Sequence, residues 1–197
     1  MVARRRTRTE RRTGAEMTEL TTTLVLGGAR SGKSAFAEQL VCASALKRIY
    51  LATATPGDDE MQARISHHRS RRGDGWRTVE EPLELTPTLT RECAEDSAVL
   101  VDCLTLWLSN IMHAGRDVET ETRHLTEWLT HAPHPIVLVS NEIGLGLVPE
   151  TPLGRRFRDA QGRLNQAVAA AVPHVVFVAA GLPLWLKGPS ATEKLSS

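Results

Sequence analysis

A single α/β domain, built on a mainly parallel sheet with helices on both faces, is the fold class this sequence predicts. Two observations carry that expectation. Short apolar runs of strand length alternate with longer amphipathic segments, and a glycine-rich turn joins the first apolar run to the first helical one. Strands buried on both faces read as near-continuous aliphatic runs, and parallel neighbours need crossovers long enough for a helix. The elements come in a regular order. "TTLVLGG" is a strand entering a glycine turn, and "KSAFAEQLVCASAL" has helical spacing. "RIYLATA" is a second strand; "DDEMQARISHHRSR" is helical at its start and rich in Arg at its end. "SAVLVDCLTLWLSN" begins as a strand and turns into a helix, and "ETRHLTEWLTHA" is amphipathic. "HPIVLVSNEIG" is a strand running into a loop, "RRFRDAQGRLNQAVAAAV" a long helix, and "HVVFVAAGLP" a closing strand. The pattern leaves the strand order open.

Bulk properties bound the rest. A chain of 197 residues, 41% hydrophobic and 24% charged, can bury one ordinary core without disulfides. No apolar run approaches the roughly 18 residues a membrane-spanning helix needs. The net charge of +1 hides an asymmetry: the first 16 residues carry six Arg and two Glu, so the remainder is mildly acidic and offers no global basic field for nucleic acid. Residues 1–20 are expected to form a disordered leader, with Met17 an alternative start; the domain spans 21–188, and 189–197 is a loose tail. The leader has no apolar core of the kind a secretory signal carries. Three cysteines, Cys42, Cys93 and Cys103, stand at unrelated spacings with no CxxC. They fit a reducing, cytoplasmic setting and give no zinc signal, and Cys103, after an apolar run, reads as a buried thiol.

The first chemistry-bearing motif is "GGARSGKS": Gly27, Gly28, Ala29, Arg30, Ser31, Gly32, Lys33 and Ser34. It fits G-x-x-x-x-G-K-[ST], between a strand and a helix. Glycines let the backbone wrap with its N–H groups facing phosphate oxygens, and the helix start turns its positive end toward the same anion. Lys33 would bridge the outer phosphates, and the Ser34 hydroxyl would bind Mg²⁺. "AVLVD" ends in Asp102, the acidic partner such a loop needs for the metal or its water shell; the plainer reading of Asp102 is a helix N-cap. These motifs mark a user of nucleoside triphosphates.

Together with blocks further along the chain, they resemble one family closely: the bifunctional adenosylcobinamide kinase/adenosylcobinamide-phosphate guanylyltransferases of cobalamin biosynthesis. The matching blocks are "LVLGGARSGKSAFAE", "YLATATPGDDEMQARISHHRSRR", "WRTVEEP", "VLVDCLTLWLSN", "VSNEIGLGLVPETPLGRRFRDAQGRLNQ" and "VVFVAAGLP". They stand in family order from Leu24 to Pro183. The resemblance implies a RecA-like P-loop fold, a homotrimer, and two reactions. The γ-phosphate of ATP or GTP goes to the aminopropanol hydroxyl of adenosylcobinamide. GTP then guanylylates a histidine of the enzyme, and GMP passes to the cobinamide phosphate. A relative with one of the two activities, or a GTP-binding regulator, would share the same loop.

The segment "HHRSRR" holds the implied nucleophile. A neutral imidazole can attack an α-phosphorus, and Arg69, Arg71 and Arg72 beside it supply positive charge for the phosphates. Chemistry alone does not choose between His67 and His68; the resemblance points to the second, His68. It also implies nucleotide contacts at Ala52, Thr53, Ala54, Ser70 and Glu80. For Thr53 the plainer reading is a strand residue, and for Glu80 a surface carboxylate. Asn141 and Glu142 follow an apolar strand, where α/β sites lie. Their expected duty is the acceptor pocket, the acceptor hydroxyl or a subunit contact. Trp107, Trp128 and Trp185 read as packing residues.

Overall fold

Three apolar runs set the centre of the sheet. In a computed structural model that describes residues 20–44, 46–55 and 73–188, strands β1 (Thr23–Gly27), β4 (Ser97–Asp102) and β5 (Ile136–Asn141) are buried nearly throughout. The remaining strands are β2 (Lys47–Ala52), β3 (Trp76–Glu80), β6 (His174–Ala179) and β7 (Leu182–Lys187). The helices among the described residues are α1 (Lys33–Ala43), α2 (Leu85–Glu92), α3 (Leu104–His113), α4 (Val118–Thr130) and α5 (Pro152–Ala171). The sheet runs β3-β2-β4-β5-β1-β6-β7, parallel except for the antiparallel β6–β7 pair at one edge. The expected α/β sheet with helices on both faces is present. The leader 1–19, the tail 189–197 and residues 56–72, with the histidine pair, lie outside the described residues.

Alternation along each strand builds two cores. Leu24, Leu26, Val99, Val101 and Leu138 face one layer, where Leu85, Trp107, Leu125 and Leu164 of α2–α5 pack on them. Val25, Leu100, Val137, Val139, Val176 and Val178 face the other, covered by Ala37 and Val41 of α1. The tryptophans are packing residues, as expected. Trp107 is wholly buried, its indole N–H donating to the Leu83 carbonyl at 3.0 Å. Trp128 packs against the first core, and Trp185 meets the rings of Phe36 and His174 edge-on.

The reading of the sequence missed β3, α2 and β7. β3 ("WRTVE") is a half-exposed edge strand with only one aliphatic residue. α2 ("LTPTLTRE") is short and carries Pro87 near its start and three threonines, none of which favours a helix. β7 points Leu182, Leu184 and Leu186 into solvent on one face, so its apolar pattern is not that of a buried strand.

One polar knot interrupts the apolar core. The Ser140 hydroxyl donates to Asn165 Oδ1 at 2.7 Å, and Gln161 Nε2 donates to Ser140 Oγ and Asn165 Oδ1, both at 2.9 Å. Asn165 Nδ2 donates to the Asn141 carbonyl at 3.0 Å. Asn165 is the hub, so removing it strands several buried groups at about 1–3 kcal/mol each. Asn165→Ala is therefore expected to lower unfolding free energy by about 3 kcal/mol in urea titration.

Candidate functional site

Parallel strands place their C-terminal ends on one edge of the sheet, and the predicted site residues collect there. Gly27 ends β1 and pairs with Asn141 at the end of β5. Asp102 ends β4 beside Ala52 of β2, and Ala52 in turn pairs with Glu80 of β3. The phosphate-loop residues, Ala52–Ala54, Glu80, Asp102, Asn141 and Glu142 thus share this edge. His68, Arg69, Ser70, Arg71 and Arg72 lie outside the described residues.

The glycine-rich loop is held from three sides. The Ser31 amide donates to the Gly28 carbonyl at 3.3 Å, closing the turn. The Glu142 amide donates to the Gly27 carbonyl at 3.1 Å, and the Gly181 amide to the Ser31 carbonyl at 2.8 Å. Glycine is required twice. A Cβ on Gly27 would lie 2.5 Å from both the Val178 carbonyl oxygen and Ser31 Oγ. Gly32 has φ +94°, a backbone that side chains resist, and its Cβ position is 3.1 Å from the Gly181 Cα. Gly32 is also the N-cap of α1, so the helix amides begin at the loop. Lys33 is buried, and its ammonium donates to the Gly28 carbonyl at 3.1 Å. Burial pulls its pKa below the ordinary lysine value, while Cys103 and Asp102 act the other way.

Two buried polar atoms here lack a protein partner among the described residues: Ser31 Oγ in the loop and Asn141 Oδ1 beside Gly27. Buried polar atoms rarely stay unpaired unless a ligand or water meets them, so both mark this edge as a binding site.

Asp102 is not the cap of α3; Cys103 is the N-cap. The Tyr50 hydroxyl donates to Asp102 Oδ2, fixing the carboxylate. Thr53 is wholly buried and clamps the next residue, its hydroxyl donating to the Cys103 carbonyl at 2.8 Å and accepting from the Cys103 amide at 2.9 Å. Asn110 Nδ2 reaches the Thr53 carbonyl at 2.7 Å. Asn141 is clamped likewise, its amide donating to Thr105 Oγ1 at 2.9 Å. Sequence reasoning missed Tyr50, Thr105, Gln161 and Asn165. Each left a faint trace: Tyr50 is the only tyrosine, and Gln161 and Asn165 stand four apart in the buried stripe of α5.

The match to known proteins shows the family. Residues 23–186 match the family model described as cobinamide kinase / cobinamide phosphate guanyltransferase. The chain belongs to that family. Among the family's curated members, it is 50% identical over 167 residues to the bifunctional adenosylcobalamin biosynthesis protein CobP of Pseudomonas aeruginosa, covering 84% of this chain and 96% of the relative. It is 40% identical over 179 residues to CobU of Salmonella typhimurium, covering 83% and 98%. The fold extends further, to an ATPase from a bacterial type III secretion system, at TM-score 0.51 and 10% identity over 87% of this chain and 59% of that one. In this member of the cobinamide kinase / guanyltransferase family, then, the glycine loop joins β1 to α1 on a sheet that shares the fold of that ATPase.

Two outcomes are expected from this geometry. In Gly27→Ala the new methyl has nowhere to go but into the backbone of β6, so the loop must shift. Steady-state kinase assays should show a loss of about a hundredfold or more in rate, the scale expected for ångström misplacement at a reacting centre. For the thiols, burial and the neighbouring Asp102 push Cys103 up to about 12, whereas Cys42 is exposed. Iodoacetamide at neutral pH is expected to alkylate Cys42 in the native protein and Cys103 only after unfolding, as read by peptide mass mapping.

Proposed function

We propose that this chain phosphorylates the aminopropanol hydroxyl of adenosylcobinamide with ATP or GTP, then transfers GMP from GTP through His68 to give adenosyl-GDP-cobinamide. The reading rests on one conjunction: family membership across residues 23–186, with a P-loop flanked by an oriented Asp102 and two partnerless buried polar atoms. In the first reaction the acceptor oxygen bonds to the γ-phosphorus as the bond to the β–γ bridging oxygen breaks. Loop amides and Lys33 hold the outer phosphates, and the lowered pKa of Lys33 reflects a burial that anionic phosphate would offset. Ser34 and Asp102 would hold Mg²⁺. A hydroxyl and one carboxylate, with phosphate oxygens completing the shell, is the donor set this ion takes at nucleotide sites. Bound there, it would neutralise charge on the triphosphate.

In the second reaction the imidazole of His68 attacks the α-phosphorus, and pyrophosphate leaves with the electron pair. A phosphate oxygen of the cobinamide phosphate then attacks the same phosphorus, the P–N bond breaks, and the imidazole is restored. Arg69, Ser70, Arg71 and Arg72 are the phosphate clamp, and Ala52, Thr53, Ala54 and Glu80 hold the nucleoside. The Thr53 hydroxyl is engaged with Cys103, so its share is through the backbone and through placing β4. His68 stands 13 residues after Thr55, and the chain leaves β2 at the edge that carries the P-loop. A tether of that length can span about 40 Å, ample to reach it.

No described helix is long and apolar enough to cross a membrane. We place the enzyme in the cytoplasm as a homotrimer, for which the exposed row Leu182, Leu184 and Leu186 on β7 offers an apolar contact face. With GTP labelled at the α-phosphate, the protein should acquire a covalent label that is lost in acid, as a P–N bond requires. His68→Ala should remove the label. An unlabelled wild type would refute the transferase half of the proposal, and a label that survives in His68→Ala would refute the choice of nucleophile.

A further inference from the structure

A second apolar surface stands apart from β7, on the loop between β5 and α5. Leu145, Leu147 and Val148 are 84%, 96% and 64% exposed, and Leu153 in the first turn of α5 is 53% exposed. Four large aliphatic side chains this exposed within nine residues of chain point to an interaction surface. The loop that carries it is pinned at both ends. At its start, Glu142 Oε1 accepts from the Gly144 amide at 2.6 Å. At its finish, Arg155 Nη1 donates to the Pro149 and Glu150 carbonyls at 3.1 and 2.7 Å, and Thr151 caps α5 through the Gly154 amide at 3.0 Å. The aliphatic side chains between these ties are therefore presented outward on an organised loop.

Position identifies the occupant. The loop begins at Glu142, whose amide is bonded to Gly27, the first residue of the phosphate loop. Its root is one strand spacing, about 4.8 Å, from β1. A molecule reaching from this loop to its root would meet the phosphate loop. A hollow lined by the charged side chains of Lys47, Arg77, Arg91 and Glu92 lies by the start of β2 and β4, at the opposite end of the strands. A corrin acceptor is a broad macrocycle whose rim carries methyl groups between amide side chains, so exposed aliphatic side chains can meet its methyl surface while one hydroxyl is brought to the γ-phosphate.

We propose that Leu145, Leu147, Val148 and Leu153 form the seat for the corrin ring of the acceptor. The proposal rests on the kinase and guanylyltransferase reading above. It is tested with Leu147→Asp and Leu145→Ser, at sites exposed enough that folding is not at stake. Equilibrium dialysis with adenosylcobinamide, followed by corrin absorbance, should show binding at least tenfold weaker than wild type. The KM for the acceptor should rise by the same factor, with GTP affinity and α-label incorporation within twofold of wild type and an unchanged mass by light scattering. Unchanged acceptor binding in both variants overturns the seat and leaves the functional reading intact. A fall in mass assigns the patch to a second copy of the chain and also overturns it. Failure of the wild type to bind the acceptor at all overturns the seat and the functional reading together.

Discussion

The close approach of β1, β6 and the phosphate loop at Gly27 is the constraint on which the rest of this edge depends. There is room for a hydrogen and nothing more between Gly27, the Val178 carbonyl and Ser31 Oγ. That contact draws the loop over the end of the sheet, where three amides from three parts of the chain can secure it. Once the loop is fixed, α1 must begin at Gly32, and Lys33 must be buried at its first turn. Burying an ammonium is costly, and a bound anion would offset that cost. The glycine therefore decides where positive potential is concentrated, and the lysine makes that location useful.

The same edge shows why polar residues enter an otherwise aliphatic core. The end of β5 must stay beside β1 although Asn141 lies two residues beyond the Val139–Asp102 pairing that closes the β4 ladder. Its amide and carbonyl are instead met by Thr105 from α3 and Asn165 from α5. Thr53 plays the equivalent part for Cys103 between β2 and β4. Buried side-chain hydrogen bonds contribute little net stability, but leaving a buried backbone group unpaired is expensive. These clamps are the means by which strand ends project past their ladders without that penalty. The Asp102 carboxylate, tied by Tyr50, gains a fixed direction from the same layer of contacts.

How much of this was legible in the sequence depends on the physics of each element. The strands of the sheet centre announced themselves, because burial on two faces leaves only aliphatic residues. The strand–glycine loop–helix unit from β1 through Lys33 was legible because the motif demands fixed residue types at fixed spacing, and the place of Asp102 because it ends an apolar strand. β3 and β7 escaped because an edge strand has a solvent face and no required pattern. Tyr50, Thr105 and Asn165 escaped for a different reason: each acts on a residue 24 to 52 positions away, and no local periodicity records such a pairing. The role proposed for His68 comes from family resemblance rather than from spacing, since adjacent histidines carry the same chemistry.

Strand order then bears on how one nucleotide site can serve two reactions in turn, each with its own triphosphate. β1 and β3 are four spacings apart, about 19 Å, with β5, β4 and β2 between them. A GTP whose phosphates sit in the loop and whose base meets Glu80 must lie extended across the strand ends, passing Asp102 on the way. The γ-phosphate would then be nearest the β5–α5 loop and the α-phosphate nearer the connection after β2. On this reading an acceptor hydroxyl and a histidine approach different phosphorus atoms from different parts of the chain and do not compete for space. The sheet would separate the two attacks by geometry, and a single phosphate loop would suffice for both.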